Sequence, residues 1–420
     1  MSFESTPDTT PDNGLETNES AEKEPGLGIE FYVTDHNLRY PERSTPEKQS
    51  EVYAEMKKHG IDSVRFDVDW RRLVPDEDGV LDESVVEEYA EAMRLMQEAG
   101  LKPPTIVAST PPEWAQKLYD GGQKDRYFAV YDEYADAVAR IINRSGSKAS
   151  VIQMFNEINH AALFKFVRPE DLPRLADILR DKLKDADPDA KLSTSLIVAN
   201  TNEKIGAVMD KTIEAEMSIN GFLDKYEDML KETFDVISLD YYPGIWHMPM
   251  READDSYKDT FKQLDMLKNV CEKLSSWNKE YEIGEVGFPT NTPWQNEKRQ
   301  RYFYDTFFRA FRSMVVDFKE RDVKLPSRVG LYETEDEQNV SFGGFVERLL
   351  RMPGVSTLTK LTPNPEGQFG LRTKSGEPKA VIKGRKFGGQ GAAHYKGFDT
   401  PEEGQSQLAR IIKYVNRPVN

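Results

Sequence analysis

The sequence contains a single cysteine, Cys271, and no apolar run near the about 18 residues that a membrane span requires. One cysteine cannot form an internal disulfide, and the five histidines have none of the spacings of a structural zinc site. We therefore expect neither a metal nor a cofactor. The N-terminus also lacks the basic and apolar segments of a secretory signal. This favours a cytoplasmic chain, or a secreted one if a signal was removed.

Positive charge is also scarce relative to negative charge. The chain has 73 acidic and 56 basic residues, a formal charge of -17 at pH 7 and a pI near 5.0. Such a surface repels phosphate groups, so neither nucleic acid nor an anionic membrane is an expected partner. Neutral or cationic ligands fit this charge better. Composition does not determine the oligomeric state.

The composition of the chain changes near residue 26. Residues 1–25 are polar and acidic with almost nothing to bury, which predicts a disordered tail. From residue 26 to 420, short β-branched runs alternate with stretches of helical period, and no Gly-rich phosphate loop is present. This pattern predicts one domain, a (β/α)8 barrel of the α/β class. The eight predicted strands begin near Leu27, Ile61, Thr105, Ser150, Lys191, Phe234, Lys279 and Arg328.

Two of these predicted strands end on a carboxylate. Strand four reads V-I-Q-M-F-N-E and ends at Glu157, and strand seven reads Y-E-I-G-E-V and ends at Glu285. A buried carboxylate costs several kcal/mol unless it is paired, so each is either neutralised by neighbours or retained for chemistry. The active site of such a barrel lies at the C-terminal ends of its strands. Two carboxylates there suit glycosidic-bond hydrolysis, one as a protonated acid and the other as an ionised nucleophile or base.

The motifs around these glutamates resemble the clan A glycoside hydrolases, (β/α)8 retaining enzymes that include families 1, 5, 10, 17, 39 and 53. The resemblance covers roughly residues 27–386, and the nearest text is that of families 5, 17, 39 and 53. It rests on the pair Asn156-Glu157, on G-E-V-G-F-P-T around Glu285, and on R-F-D-V-D-W-R-R-L-V-P and S-T-P-P-E-W-A in the clan's order. The resemblance implies that Glu157 is the proton donor, that Glu285 is the nucleophile, and that Asn156 binds the sugar 2-hydroxyl.

Arg65 on strand two alternates with Asp67 and Asp69, so these three side chains share one face of the strand. A guanidinium beside Glu285 would keep that carboxylate ionised, and the clan has an arginine on this strand. A salt bridge between Arg65 and either aspartate is the alternative interpretation, and the two are compatible.

Aromatic residues follow several of the predicted strands. The clan has a tyrosine after strand six that donates to the nucleophile; Tyr242 is our preferred candidate, and Tyr241 is the alternative because the alternation cannot be phased from sequence. Trp114 and Trp246 fall in loops after strands three and six, where aromatic rings can stack on sugars. Packing within the loops is the alternative role for both tryptophans. We expect Trp70, directly after strand two, to be structural.

The sequence therefore predicts a retaining β-glycosidase that binds a β-linked oligo- or polysaccharide. Strand eight carries Tyr332 where many clan members have a tryptophan, and this motivates one alternative, a catalytically impaired carbohydrate-binding barrel. A second alternative is a metal-dependent barrel enzyme. Its candidate ligands are Asp35, His36, Asp67 and Asp69.

Overall fold

A computed structural model of the chain describes residues 27–36, 38, 45–108, 111–159, 167–198, 218–241, 255–287, 297–332, 409 and 411–416, together with three short strands between 362 and 380. Its centre is a closed barrel of eight parallel strands in sequential order, in which the first strand pairs with both the second and the eighth. The (β/α)8 barrel predicted from the sequence is therefore confirmed.

All eight predicted strands are present, each beginning within a few residues of its predicted start. They are β1 (Glu30–Asp35), β2 (Ser63–Val68), β3 (Thr105–Ala108), β4 (Val151–Met154), β5 (Lys191–Ile197), β6 (Val236–Tyr241), β7 (Glu280–Val286) and β8 (Arg328–Tyr332). A separate sheet of order β11-β10-β9 contains β9 (Thr362–Pro363), β10 (Phe369–Arg372) and β11 (Pro378–Ala380).

Helices connect successive strands and surround the barrel. The described ones are α1 (Pro46–Lys58), α2 (Trp70–Leu73), α3 (Glu83–Glu98), α4 (Glu113–Asp120), α5 (Lys124–Ser145), α6 (Leu172–Ala186), α7 (Ile219–Lys225), α8 (Glu227–Thr233), α9 (Asp255–Ser276) and α10 (Glu297–Glu320). None of the helices within the described ranges is long and apolar enough to span a membrane.

Local sequence signals explain where α1 begins and ends. Thr45 is its N-cap and its hydroxyl accepts from the Lys48 N–H, while Pro46 occupies the first turn, where a missing N–H costs nothing. Gly60 follows the helix with φ of 86°, a left-handed conformation that glycine adopts without steric cost. The chain can therefore turn directly into β2.

The layer between barrel and helices contains most of the apolar core. Trp70 is fully buried there and packs against three tyrosines of α5, with its ring stacked on Tyr134 at 4.9 Å between centroids. This confirms the structural role expected for Trp70. Cys271 on α9 is buried in the same layer, where it acts as a small apolar side chain.

The lower part of the barrel interior is filled by a polar network. Arg328 donates from Nε to Glu282 Oε2 at 2.8 Å and from Nη1 to Ser150 Oγ at 2.8 Å. Tyr32 and Ser238 donate to Glu282 Oε1 at 3.3 and 3.0 Å. The Glu282 side chain is fully buried, and these contacts supply hydrogen-bond donors to both of its oxygens.

One irregularity in β7 determines which side chains reach the mouth. Leu239 pairs with Ile283, but the next residue of β6, Asp240, pairs with Glu285, so β7 has one extra residue at Gly284. The register with β8 shifts over the same segment. A strand bulge of this kind reverses the facing of the residues that follow it. Glu285 therefore shares the barrel interior with Glu282, although the two are three positions apart.

The C-terminal segment is attached to the start of the barrel. Asn416 Oδ1 accepts from the Ile29 N–H at 3.0 Å, and its amide nitrogen donates to the Ile29 carbonyl at 2.9 Å. Residues 411–415 before it are helical. The tail predicted for residues 1–25 lies outside the described residues.

Candidate active site

Glu157 lies just beyond β4 on a strained turn. Phe155 and Glu157 have φ values of 58° and 50°, a conformation that residues with a Cβ adopt rarely. The turn is held by neighbours, because the Glu157 N–H donates to Ser195 Oγ at 2.8 Å and Gln153 Nε2 donates to the Phe155 carbonyl at 3.0 Å. Glu157 is only 4% exposed. The strained turn therefore holds a buried carboxyl group at the mouth of the barrel.

Arg65 of β2 lies against Glu285 of β7. Arg65 Nη1 is 2.6 Å from Glu285 Oε1, and both side chains are almost completely buried. Burial by itself lowers the pKa of Arg65, but Glu285, Asp240 and Asp67 raise it above its ordinary value, so the guanidinium remains charged. The ion pair predicted between Arg65 and Glu285 is therefore present, with a positive charge directly beside the Glu285 carboxyl group.

Asn156 is oriented by three donors. Its Oδ1 accepts from Arg65 Nη2, Gln153 Nε2 and Ser195 Oγ, each at 2.9 Å. A guanidinium can only donate, so the amide oxygen must face Arg65. The amide nitrogen of this half-buried residue therefore points away from Arg65, where it can donate to a ligand.

A third carboxyl group, which the sequence analysis did not assign to the site, belongs to Asp240 of β6. Glu157, Asp240 and Glu285 each have a carboxyl oxygen within 4.8 Å of the other two. Asp240 is fully buried, and within the described part of the chain neither of its oxygens has a hydrogen-bond partner. A signal existed in the sequence, since Asp240 is also a charge at the end of an apolar strand, like the two glutamates.

The crowding of these acids changes their proton affinity. Burial, followed by the negative charge of Glu285, raises the pKa of Glu157 to about 8 against the opposing effect of Arg65. Burial, then Glu285 and Glu157, raises the pKa of Asp240 well above its ordinary value. The site thus combines a carboxylate paired with a guanidinium and a carboxyl group that keeps its proton at neutral pH.

The three acids are also the one cluster with metal-ligand spacing among the residues described. Arg65 already supplies the positive charge beside Glu285, so a cation would have to bind next to a guanidinium. The other set considered, Asp35, His36, Asp67 and Asp69, is not gathered into one site. Asp35 accepts from Tyr53 and Asp69 is paired with Arg71, and only His36 and Asp67 are adjacent, at 3.2 Å.

Comparison with protein-family models places this barrel among known enzymes. The model described as glycosyl hydrolase family 53 matches residues 107–332, which is more than half of the chain. The chain belongs to glycosyl hydrolase family 53. It is therefore a glycoside hydrolase, and the matched segment of this family 53 chain includes both Glu157 and Glu285. The resemblance to clan A read from the sequence is confirmed.

Solved structures show the same barrel at low sequence identity. A GH5_18 protein from Streptomyces cattleya in complex with GlcNAc has a TM-score of 0.55 and 13% identity, covering 95% of this chain and 82% of that one. The exo-β-1,4-mannosidase Op5Man5 from an Opitutaceae bacterium has a TM-score of 0.53 and 13% identity. The match covers 93% of this chain and 61% of that one. The β-glycosidase BGL167 has a TM-score of 0.50 and 14% identity, with coverages of 75% and 88%. A search of curated protein sequences found no match.

The structure describes two of the remaining predicted site residues of this family 53 chain, Trp114 and Tyr241. Trp114 is the second residue of α4 and is half-buried. It donates from Nε1 to the Pro75 carbonyl at 3.0 Å, which connects the segments after β2 and β3. Tyr241 faces the outer layer, where it stacks on Phe307 at 5.3 Å, so it does not point into the barrel. Tyr242 and Trp246 lie outside the described residues.

Sequence reasoning also missed the residues that support the site. Gln153 and Ser195 are polar residues of β4 and β5 that face the interior and hold Arg65, Asn156 and the Glu157 backbone. Their signal in the sequence is a polar residue inside an apolar strand. That signal predicts that the side chain faces inward. It does not predict the hydrogen-bond partner, because the partners belong to other strands.

Proposed function

We propose that this family 53 chain is a retaining β-glycosidase that cleaves a β-linked oligo- or polysaccharide by double displacement. In the first step Glu285 attacks the anomeric carbon while Glu157 donates its proton to the leaving oxygen. The products are a glycosyl ester on Glu285 and the released alcohol. In the second step Glu157 removes a proton from water, which attacks the anomeric carbon and returns Glu285 to a carboxylate.

The observation that carries this proposal is the contrast between two neighbouring carboxyl groups. Glu285 is paired with Arg65 at 2.6 Å, which suits an ionised nucleophile. Glu157 has a pKa raised to about 8 by burial and by Glu285, which suits an acid that is protonated at neutral pH. The two environments therefore suit the two proposed roles.

The spacing of the two groups supports retention. Their nearest oxygens lie within 4.8 Å of each other. Retaining enzymes have carboxyl groups about 5–5.5 Å apart, whereas inverting enzymes leave about 6.5–9.5 Å for a water molecule between them. The short distance between the two carboxyl groups is therefore an argument for retention.

Asn156 is proposed to bind the substrate beside these acids. Three donors fix its amide oxygen, so its amide nitrogen is available to a sugar hydroxyl. A mannosidase and a β-glycosidase among the structural neighbours are the reason to begin with β-linked substrates. The neutral charge of a glycan also suits a strongly acidic protein.

The test is turnover of aryl β-glycosides and of soluble β-glucans, mannans, xylans and galactans by the wild type and by Glu285→Ala. We expect the wild type to cleave at least one of them. Glu285→Ala should lose activity by several orders of magnitude, and added azide should restore turnover and give a glycosyl azide of inverted configuration. Glu280→Ala, at the opposite end of β7, is the matched control and should retain activity.

Three other outcomes would contradict parts of the proposal. Undiminished activity of Glu285→Ala would exclude it as the nucleophile. Products of inverted configuration from the wild type would exclude retention. Glycan binding by calorimetry without turnover of any substrate would favour the carbohydrate-binding barrel instead.

A further inference from the structure

The two-glutamate mechanism makes no use of Asp240, although this residue lies at the same site. Its carboxyl group is fully buried and lies within 4.8 Å of both Glu157 and Glu285. The Ser195 hydroxyl also faces it, but the contact falls short of a hydrogen bond, and neither Asp240 oxygen has a partner among the described residues. A buried carboxyl group without partners is costly, so its presence at this position requires an explanation.

The charges that face Asp240 do not allow it to ionise easily. Glu285 on β7 and Glu157 after β4 are both acids, and Arg65 on β2 is the one cation among the groups acting on it. That guanidinium is already in contact with Glu285. Deeper in the barrel, Tyr32 also interacts with Asp240, and its own pKa is raised by burial. An ionised Asp240 would therefore add an uncompensated negative charge to a site of low dielectric.

The backbone is built to bring Asp240 beside Glu285. The bulge in β7 makes Asp240 and Glu285 direct partners in register. A Cβ on Gly284 would lie 2.6 Å from Asp240 Oδ1 and 2.0 Å from Ser238 Oγ, so a side chain at this position would displace the carboxyl group. The absence of a side chain at residue 284 thus makes room for Asp240.

We propose that Asp240 keeps its proton in the working enzyme and donates it in a hydrogen bond to the Glu285 carboxylate, as an uncharged positioning residue. The inference rests on the proposed role of Glu285 as nucleophile. Ser195 is the weaker acceptor for this proton, because its hydroxyl already accepts from the Glu157 N–H and is neutral. A carboxylic acid held neutral by its surroundings can act as a hydrogen-bond donor in this way. The raised pKa of Asp240, caused first by burial and then by the two glutamates, agrees with this assignment.

The pH dependence of kcat/KM separates a neutral Asp240 from a charged one. Asp240→Asn replaces the acid by an uncharged donor of the same shape, so both limbs of the wild-type profile should stay within about 0.3 pH units. Asp240→Ala and Asp240→Leu remove the donor to the carboxylate, so the acidic limb should move up by about one pH unit. Two variants without the donor are used so that a folding defect in one does not decide the result.

Two results would overturn the proposal. If Asp240→Asn moves both limbs down by a unit or more, Asp240 is ionised in the wild type, because the variant has removed a negative charge. If Asp240→Ala and Asp240→Leu lower kcat/KM without moving either limb, the role of Asp240 is purely structural. A wild-type acidic limb in Asp240→Asn, together with a shifted limb in Asp240→Leu, is the result that supports the donor role.

A second measurement does not depend on turnover. Infrared difference spectra of the free protein at pH 6 should contain the carbonyl band of a protonated carboxylic acid that disappears in Asp240→Asn and persists in Glu157→Gln. Absence of that band from the wild type would refute the proposal even if the azide rescue of Glu285→Ala succeeds. Conversely, presence of the band with no azide rescue would leave Asp240 protonated and refute only the role of Glu285.

Discussion

Replacement of Glu157 by glutamine should stabilise the protein at alkaline pH. Glu157 has a pKa of about 8 in the folded chain against an ordinary value of 4.5. Between these two pH values the folded state holds a proton at Glu157 that the unfolded state has released. The free energy of unfolding of the wild type therefore falls as pH rises, by about 1.4 kcal/mol per pH unit at most. Below pH 4.5 the effect vanishes, because both states are protonated.

The total effect follows from the size of the shift. A difference of about 3.5 units corresponds to a loss on the order of 5 kcal/mol by pH 8, and Glu157→Gln does not undergo this loss because it has no proton to release. For a chain of 420 residues, 1 kcal/mol changes Tm by about 1 °C. The variant should therefore melt about 5 °C above the wild type at pH 8 and close to it at pH 4.5.

Differential scanning calorimetry of both proteins at half-unit intervals from pH 4.5 to 9 measures this difference. Glu98→Gln is the control, because Glu98 ends α3 at an exposed position and its replacement should change Tm equally at all pH values. A Tm difference between Glu157→Gln and the wild type that does not grow with pH would refute the argument. Such a result would mean that Glu157 is ionised at neutral pH and is not the acid.

Three further predictions concern the scaffold of the site. Gly330→Ala should destabilise the protein by about 3 kcal/mol or more in denaturant unfolding, because the added Cβ would lie 2.0 Å from the backbone oxygen of Gly284. Glu282→Gln should cost about 3–5 kcal/mol in the same assay, since it breaks a buried ion pair, whereas kcat of the folded fraction should hardly change. Ser195→Ala should lower kcat/KM about tenfold by releasing the turn that contains Glu157. Ser193→Ala, which removes a buried hydroxyl without a partner among the described residues, should leave it unchanged.

The positions of the two glutamates were predictable because they follow from local patterns. A βα repeat implies a parallel barrel, and in a parallel barrel every strand ends at the same mouth. A charge at the end of an apolar run is therefore a residue of the mouth, whichever strands are its neighbours. Glu157 and Glu285 were located in this way, and the same rule applied to β6 would have added Asp240.

The partners of those residues were not predictable in the same way. The sequence left Arg65 equally able to pair with an aspartate of its own strand or with Glu285, and the structure shows the pair with Glu285. It left Tyr241 as an alternative to Tyr242, and the structure turns Tyr241 to the outer layer. Both outcomes depend on which residues of neighbouring strands lie side by side.

The sequence by itself determined the barrel, its eight strands and the two glutamates at the mouth, because periodicity and strand ends are properties of consecutive residues. Tertiary structure alone decided that Glu285 faces inward and that Asp240 lies beside it. The physical reason is the bulge at Gly284. It sets the register of β7 against β6 and β8, and one extra residue reverses the facing of the side chains after it.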